Sequence, residues 1–207
     1  MSLKRSYTLF APFYDLVVAA PAFRRARQAS LGALDRSRPS DVLLSGVGTG
    51  LDLPYLPGAH RYVALDLTRA MLARALPRAS ALDVSWVQGN SEALPFADEL
   101  FDHVVLHLIV AVVPHPERAL AEAARVTKAG GTLLIFDKFL PRGSRATLRR
   151  LLNPIASRIA TRTNVVFEDV LEAVPHVRVV KDVPAFAGGW FRLIALQKSD
   201  GSSGRRP

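Results

Sequence analysis

A run of alternating glycines follows a short apolar segment early in the chain. Gly46, Gly48 and Gly50 come directly after the segment Asp41–Ser45. Glycine has no Cβ, so such a run lets the backbone turn tightly and approach a ligand closely. A second apolar segment ends at Asp66, and a carboxylate at that point can accept hydrogen bonds from both hydroxyls of a ribose. Together these features predict a nucleoside-binding site at the carboxyl edge of a sheet.

The spacing of the glycines distinguishes between two kinds of nucleotide ligand. Hydride-transfer dehydrogenases carry the fingerprint G-x-G-x-x-G, which places a third glycine at the sixth position. In this chain the sixth position is Leu51. A nucleoside that is joined to an amino acid has no pyrophosphate to cradle. The pattern therefore favours S-adenosylmethionine over a dinucleotide.

The elements that would position these residues alternate between β-branched runs and helical patterns. Strands separated by helical segments predict βαβ units and a parallel sheet. Near the C-terminus two strand-like runs follow each other without a helix, and their short connection suits an antiparallel pair. The sequence therefore predicts an α/β fold, a Rossmann-like three-layer sandwich with a mostly parallel seven-stranded sheet and one antiparallel strand near the C-terminus. The predicted strands are 41–45, 61–66, 84–88, 101–108, 131–136, 178–183 and 190–198, with helices at 68–76 and 117–127.

Length and composition favour one packed domain. The chain has 207 residues, of which 49% are hydrophobic and 22% charged, as is usual for a globular protein. It has no cysteine, which excludes disulfides, thiolate metal sites and a cysteine nucleophile. We expect a single domain over 1–198, with an N-terminal helical cap at 1–38, a basic helical insertion at 139–174 and a disordered tail at 199–207. The longest apolar run, 104–113, is too short to cross a bilayer.

Several short motifs occur in the order and spacing of one enzyme family. Over residues 7–139 the chain resembles the class I S-adenosylmethionine-dependent methyltransferases. The resemblance implies that the chain transfers a methyl group from S-adenosylmethionine to an acceptor and releases S-adenosylhomocysteine. The matching segments are 42–50, 62–72, 88–96, 101–105 and 125–131.

The same resemblance assigns cofactor roles to individual residues. The three glycines would line the methionine part of the cofactor, and Asp66 would hold its ribose. Leu67 would pack on the adenine, while Asn90 and Ser91 would meet the polar edge of that base. The full set of implied cofactor-binding residues is Gly46, Gly48, Thr49, Gly50, Asp66, Leu67, Met71, Asn90, Ser91 and His107.

Two residues depart from the family pattern. Asn90 stands where Asp is usual, and its amide oxygen can still accept a hydrogen bond from the adenine amino group. Leu44 stands two positions before the first glycine, where the family usually has an acidic residue that helps to satisfy the cofactor's ammonium group. Asp52, in the following turn, is a candidate to replace that carboxylate.

Methyl transfer needs no fixed catalytic triad, because the cofactor carries the activation. His107 is the first catalytic candidate, since it ends the fourth predicted strand and could orient an acceptor or accept a proton. Tyr7 and Tyr14 are the next, in an N-terminal segment that folds over the active site in such enzymes, and Asp137 and Lys138 reach the same edge. The alternatives are a histidine bonded within the core and tyrosines that only pack a helix. No His, Asp or Glu cluster has metal-site spacing.

A resemblance to particular members of the family narrows the choice of acceptor. The segments 11–15, 48–54, 112–117 and 122–126 are similar to bacterial phosphatidylethanolamine N-methyltransferases, and part of this pattern is shared with ubiquinone and menaquinone C-methyltransferases. Both acceptor types are lipids. The leading prediction is therefore a lipid or other amphipathic acceptor, such as a phospholipid amine. The alternatives are a soluble small molecule or quinone ring, and a non-catalytic binding protein that retains the fold.

Charge gives separate support for an anionic partner surface. The net charge is +9 and the sequence pI is about 10.6. Two basic segments, 138–162 and 4–27, are candidates for contact with an anionic membrane surface. We expect a cytoplasmic protein with a peripheral position on the inner membrane face. Nucleic acid is a disfavoured partner, because no recognition domain or base-flipping motif is present, and the sequence does not indicate an oligomeric state.

Overall fold

The computed structural model describes residues 18–140 and 165–200. Within them the chain forms four helices of six residues or more and seven strands, in the order expected for an α/β protein. The helices are α1 (Pro21–Leu31), α2 (Arg69–Ala75), α3 (Pro116–Val126) and α4 (Phe167–Glu172). The strands are β1 (Asp41–Ser45), β2 (Arg61–Asp66), β3 (Asp83–Gln88), β4 (Phe101–His107), β5 (Thr127–Lys138), β6 (Val177–Phe186) and β7 (Phe191–Lys198).

All seven strands form one sheet in the order β3-β2-β1-β4-β5-β7-β6. Strands β1 to β5 pair in parallel, whereas β7 is antiparallel to both of its neighbours. The prediction of a mostly parallel seven-stranded sheet with one reversed strand is confirmed. The strand order reverses between β1 and β4, and open α/β sheets bind their ligands in the crevice at such a point.

Helices cover both faces of the sheet, which confirms the three layers. On one face Leu31 of α1 and Leu72 of α2 pack in a cluster with Val42 and Leu44 of β1. On the other face α3 and α4 pack in a cluster that includes Leu43. Neighbouring residues of β1 therefore enter opposite cores, as the period of two in a strand requires. Burial on both faces explains why the middle of this strand, 42–44, is an unbroken apolar run.

Two strands are longer than the sequence indicates. Strand β5 begins at Thr127 instead of 131, and its first residue pairs with Phe101 before an irregularity in the ladder. Gly131 permits this path, because a Cβ there would lie 2.8 Å from the carbonyl oxygen of Asp102. Strand β6 continues through Pro184 to Phe186. It is the last strand in the sheet order, and an edge strand tolerates proline, which has no N–H to donate.

The predicted subdivision of the chain falls partly outside the described residues. Helix α1 supplies the described part of the predicted cap at 1–38, and α4 lies in the predicted insertion at 139–174. Residues 141–164 of that insertion, and most of the tail at 199–207, lie outside. Among the helices of residues 18–140 and 165–200, none has both the length and the hydropathy that a membrane crossing requires.

Candidate functional site

The glycine turn after β1 has three residues with left-handed backbone torsions, at φ of +76° for Gly46, +56° for Gly48 and +80° for Gly50. A Cβ on Gly46 would lie 2.7 Å from Cγ1 of Ile109, so the turn is pressed against the loop that follows β4. A Cβ on Gly48 would meet nothing within 4 Å. Gly48 therefore borders open space, whereas Gly46 is fixed by packing.

Asp66 lies at the tip of β2 beside this turn. Its two carboxylate oxygens accept hydrogen bonds from the amides of Gly48 (3.0 Å) and Thr68 (2.9 Å). Burial raises the pKa of Asp66 above its usual value, although these hydrogen bonds act in the opposite direction. A carboxylate has about four acceptor sites. Asp66 is therefore held in a fixed orientation and can still accept from further hydroxyl groups.

A cavity of about 250 Å³ opens above the carboxyl ends of β1, β2 and β4. It lies at the carboxyl edge of the sheet, where the sequence predicts the nucleoside site, and at the point where the strand order reverses. Of the predicted cofactor-binding residues, the cavity is lined by Gly46, Gly48, Thr49, Asp66, Leu67, Met71, Asn90, Ser91 and His107. Gly50 is not among the lining residues. A Cβ at that position would lie 2.6 Å from Leu53 and 2.8 Å from Ala75, so this glycine permits the turn to pack against α2.

The side of the cavity beyond β2 combines apolar and polar groups. Leu67 is 40% exposed, while Met71 is buried. The Asn90 side-chain oxygen accepts from the amide of Glu92 at 3.0 Å, which closes a local turn. The Ser91 hydroxyl is 2.9 Å from that of Ser45. This side can therefore hold a flat ring between apolar side chains with polar atoms at its edge.

The opposite side of the cavity holds a buried polar cluster around His107. The ring Nδ1 lies 2.9 Å from Oδ1 of Asp52, and Nε2 lies 2.9 Å from the hydroxyl of Ser30 on α1. Asp52 also lies 3.1 Å from Nε of Arg27. Each ring nitrogen of His107 thus already has a partner. Its predicted catalytic role remains a prediction, and the geometry favours a role in holding its neighbours.

The charges in this cluster follow from Asp52. Burial alone would raise the pKa of its carboxyl, but attraction to His107 and Arg27, together with their hydrogen bonds, lowers the pKa below its usual value. Asp52 is therefore a carboxylate and can only accept, so Nδ1 of His107 donates to it. In the neutral histidine, Nε2 then accepts from the Ser30 hydroxyl. The order of groups is that of a serine nucleophile with its base, yet Ser30 is buried and does not line the cavity.

The remaining predicted residues are distributed as follows. Tyr7 and Tyr14 lie outside the described residues. Asp137, at the end of β5, is fully buried and accepts from the amides of Ala111 (2.9 Å) and Lys138 (2.8 Å). Burial raises the pKa of Asp137 and lowers that of Lys138. Asp137 thus fixes the loop after β4 rather than meeting a ligand.

Arg27 corrects one prediction about charge. The sequence places it in the basic segment 4–27 that would face an anionic membrane, but it is 5% exposed and paired with Asp52. Arg24 and Arg25 of the same helix are exposed, so the described surface charge of that segment rests on them. A sequence signal was available: Arg27 and Ser30 are three residues apart and occupy one face of α1, the face that becomes buried.

Metal ligation finds no support in the described residues. Within 18–140 and 165–200, no group of three or more His, Asp or Glu side chains is arranged to hold a metal ion.

Comparison with known proteins gives consistent relatives. A family model described as "Methyltransferase domain" matches residues 43–135. Phosphatidylethanolamine N-methyltransferase of Cereibacter sphaeroides is 32% identical over 203 residues, which cover 95% of this chain and 98% of that protein. Demethylmenaquinone methyltransferase of Renibacterium salmoninarum is 37% identical over 133 residues, which cover 61% of this chain and 54% of that protein.

Solved structures share the fold at low sequence identity. A methyltransferase chain in its complex with the Haloferax volcanii Trm112 methyltransferase activator has a TM-score of 0.77 and 17% identity, and the match covers 93% of this chain and 97% of that one. The N-methyltransferase NodS of Bradyrhizobium japonicum has a TM-score of 0.66 and 19% identity, with coverages of 88% and 99%.

Proposed function

Because the chain belongs to the class I S-adenosylmethionine-dependent methyltransferases, we propose that it methylates a lipid or other amphipathic acceptor, with a phospholipid amine as first choice. The observation that carries this proposal is the extent of similarity. The relative named for phosphatidylethanolamine matches 95% of this chain, whereas the first relative named for a quinone matches 61%. The similarity to the former thus extends well beyond the segment 43–135 matched by the general methyltransferase model.

The cofactor is S-adenosylmethionine, and the cavity has the groups that it needs. We assign the ribose to Asp66, whose orientation is fixed by Gly48 and Thr68. We assign the adenine to the side formed by Leu67, Met71, Asn90 and Ser91, and the methionine part to the side formed by Gly46, Gly48 and Thr49. Gly48 borders open space, so no side chain fills the place that the cofactor would take.

When bound, the cofactor supplies a methyl group that is already activated on a sulfonium, so the protein must chiefly align and desolvate the acceptor. The loop after β4 suits this task. Ile109, Val112 and Val113 line the cavity with apolar side chains, and Asp137 holds the loop through the amide of Ala111. An apolar wall next to the cofactor excludes water from an amine nucleophile, and the neutral form of that amine is the one that reacts.

A quinone ring is the second candidate acceptor. Relatives named demethylmenaquinone methyltransferase reach 37% identity, above that of the relative named for the phospholipid. Identity over the matched segment therefore favours a quinone, while coverage favours a phospholipid amine.

The two acceptors can be separated in one assay. The purified chain is incubated with methyl-labelled S-adenosylmethionine and either vesicles of phosphatidylethanolamine with an anionic lipid or demethylmenaquinone in detergent, and mass spectrometry identifies the labelled product. Label in the phospholipid headgroup supports the proposal, and label in the quinone alone replaces it with the second candidate. If S-adenosylhomocysteine binds but neither lipid acquires label, the lipid acceptor is abandoned in favour of a soluble one.

A matched pair of variants ties the activity to the proposed cofactor site. We expect Asp66→Asn to reduce the labelling rate by about 10- to 100-fold, as loss of a charged hydrogen-bond acceptor implies. Asp83→Asn removes the same charge from an exposed position at the start of β3 and should leave the rate unchanged. Equal labelling rates for the two variants would refute the assignment of Asp66 to the cofactor site.

Membrane contact is tested separately by vesicle sedimentation. Attraction to anionic headgroups is screened by salt, so we expect binding to weaken as the ionic strength rises. Replacing the exposed pair Arg24 and Arg25 by glutamine should weaken it further. Binding that is indifferent to both salt and these substitutions would contradict an electrostatic membrane contact.

A further inference from the structure

We propose that the outer surface of α2 and of the turn that follows it, flanked by α1, docks on an anionic lipid bilayer, with arginines at the headgroups and Leu76 inserted between them. We call this surface the arginine face. Its exposed arginines are Arg24, Arg25, Arg69, Arg74 and Arg78. The inference rests on the proposed lipid acceptor for its choice of partner, since such an acceptor is found in a bilayer.

The two helices of the arginine face lie on the same side of the sheet. Leu31 of α1 and Leu72 of α2 pack into one cluster of buried residues. Between the helices, the 3-10 turn Leu53–Tyr55 contacts both α1 and the 3-10 turn Leu76–Ala79 that continues α2. The side chains that point away from this cluster therefore belong to one continuous surface.

The charge of this surface has a single sign. The segments 18–34 and 67–82, which build it, contain six arginines and neither Asp nor Glu. One of the six, Arg27, is buried and paired with Asp52. Apart from Arg78, the exposed arginines form no ion pair with a described residue. Their positive charges are therefore available to an anionic partner.

The helices on the other side of the sheet carry the opposite charge. Together α3 and α4 contain five carboxylates, which are Glu117, Glu122, Glu168, Asp169 and Glu172, and two arginines, which are Arg118 and Arg125. Two helix layers of about 10 Å each separate these helices from the arginine face, and this distance exceeds the Debye length of about 8 Å at physiological ionic strength. The acidic side therefore does not cancel the attraction, and it favours the orientation in which the arginine face meets an anionic surface.

Apolar side chains among the arginines favour a bilayer as the anionic partner. Leu76 is 50% exposed and lies between Arg74 and Arg78 in the sequence, and Leu67 at the start of the same segment is also exposed. A basic surface with apolar side chains fits the boundary between lipid headgroups and acyl chains. The phosphate backbone of a nucleic acid is instead bound by cationic and polar groups. The arginine face thus fits a lipid surface better, and nucleic acid is tested as the alternative.

The cavity opens beside the arginine face. It is lined by Val18 and Arg27 on the side of α1 and by Leu67 and Met71 on the side of α2. Leu67 both lines the cavity and is exposed, so it lies at the rim. Docking through this face would bring lipid headgroups to the mouth of the cavity. An acceptor headgroup then enters while its acyl chains stay in the bilayer.

Sedimentation with vesicles of phosphatidylethanolamine and phosphatidylglycerol tests the arginines. We expect the double variant Arg69→Gln with Arg74→Gln to bind about 10- to 30-fold more weakly, because each basic residue near an anionic surface contributes about fivefold. The matched control Arg118→Gln with Lys181→Gln removes two exposed positive charges from α3 and β6 and should change the affinity little. Arg78 is kept in both, since it donates to a carbonyl group of the glycine turn.

A substitution at Leu76 separates a bilayer from a nucleic acid. Leu76→Gln keeps the charge of the arginine face and removes an exposed apolar group, so vesicle binding should weaken about fivefold. Binding to single-stranded polyuridylate, measured by fluorescence anisotropy in the same salt, should not respond to this variant. A wild-type protein that binds polyuridylate but not the vesicles would overturn the choice of a lipid partner.

The orientation on the bilayer can be measured directly, because the chain has no cysteine of its own. Ala73→Cys on α2 and Ala121→Cys on α3 replace exposed alanines on opposite sides of the sheet, and each accepts one environment-sensitive fluorophore. On anionic vesicles the emission of the label at position 73 should shift to the blue, while that of the label at position 121 should not. Equal shifts, or a shift at 121 alone, would refute the proposed orientation.

The outcomes separate this inference from the proposed function. If the wild-type protein methylates phosphatidylethanolamine in detergent but binds no vesicles, the docking surface is refuted and the proposed acceptor stands. The same holds if the control pair weakens vesicle binding as much as the pair on α2, because net charge alone then explains the attraction. If the protein docks through the arginine face but labels no phospholipid, the surface is confirmed and the proposed acceptor fails.

Discussion

Replacement of Gly46 by alanine tests how the glycine turn is built. A Cβ at this position would lie 2.7 Å from Cγ1 and 2.8 Å from Cδ1 of Ile109, well inside normal contact. The backbone is also at φ +76°, where a residue with a Cβ loses about 1–2 kcal/mol. Overpacking of a filled site adds about 1–3 kcal/mol. We therefore expect Gly46→Ala to lower the free energy of unfolding by about 2–5 kcal/mol.

Gly48→Ala is the matched control, since Gly48 has φ +56° but a Cβ on it would meet nothing within 4 Å. Its expected loss is about 1–2 kcal/mol, from the backbone alone. Urea unfolding followed by circular dichroism measures both variants. Affinity for S-adenosylhomocysteine should fall more in Gly48→Ala than in Gly46→Ala, because the Cβ of residue 48 would project into the space assigned to the ligand. Equal destabilisation of the two variants would refute the packing of Ile109 against the turn.

Three further predictions concern groups away from the turn. Burial lowers the pKa of His103 despite the nearby Asp102, so the unfolded chain binds the proton more readily than the folded one. The free energy of unfolding should therefore fall as the pH drops below about 6.5. In His103→Gln the urea midpoint should change less between about pH 7.5 and about pH 5.5 than in the wild type. Asp137→Ala leaves the amides of Ala111 and Lys138 without their acceptor and should destabilise the fold by about 2–5 kcal/mol in urea titration; a loss below that of a surface substitution would contradict the role of this carboxylate. The Thr68 side chain caps the N-terminus of α2, so Thr68→Ala should reduce the free energy of unfolding by about 1 kcal/mol. An unchanged thermal unfolding transition would argue against the cap.

The parts of the fold that follow from local pattern were predictable. The bounds of β1 and β2 agree with the predictions to the residue, because each is an apolar run that ends at a glycine turn or a polar strand tip. The start of β5 was not predictable in this way, since the pair Gly130 and Gly131 is typical of a turn that ends a strand. Only the neighbouring strand shows why they are tolerated: Gly131 lies against the Asp102 carbonyl, where a side chain would not fit.

The two sides of the cavity differ in the same way. Asp66 is marked by its position after a strand and a glycine run, which are local features. No sequence pattern near Arg27 predicts its role, because its partner Asp52 is 25 residues away and the two side chains meet only when α1 packs against the sheet. A charge in an arginine-rich helix therefore resembles the rest of the surface until the tertiary structure selects it. His107 was predicted from its position at the end of a strand, but its contacts with Asp52 and Ser30 arise from tertiary packing.

The antiparallel strand β7 has a consequence for synthesis of the protein. Strand β6 joins the sheet through β7 alone, although β6 precedes it in the chain. On the ribosome, β1 to β5 can therefore assemble in order, while β6 must wait until residue 198 has emerged from the exit tunnel. Removal of the last strand would leave a gap inside the sheet instead of shortening its edge. Nascent chains stalled before that residue should accordingly remain sensitive to protease over 177–186.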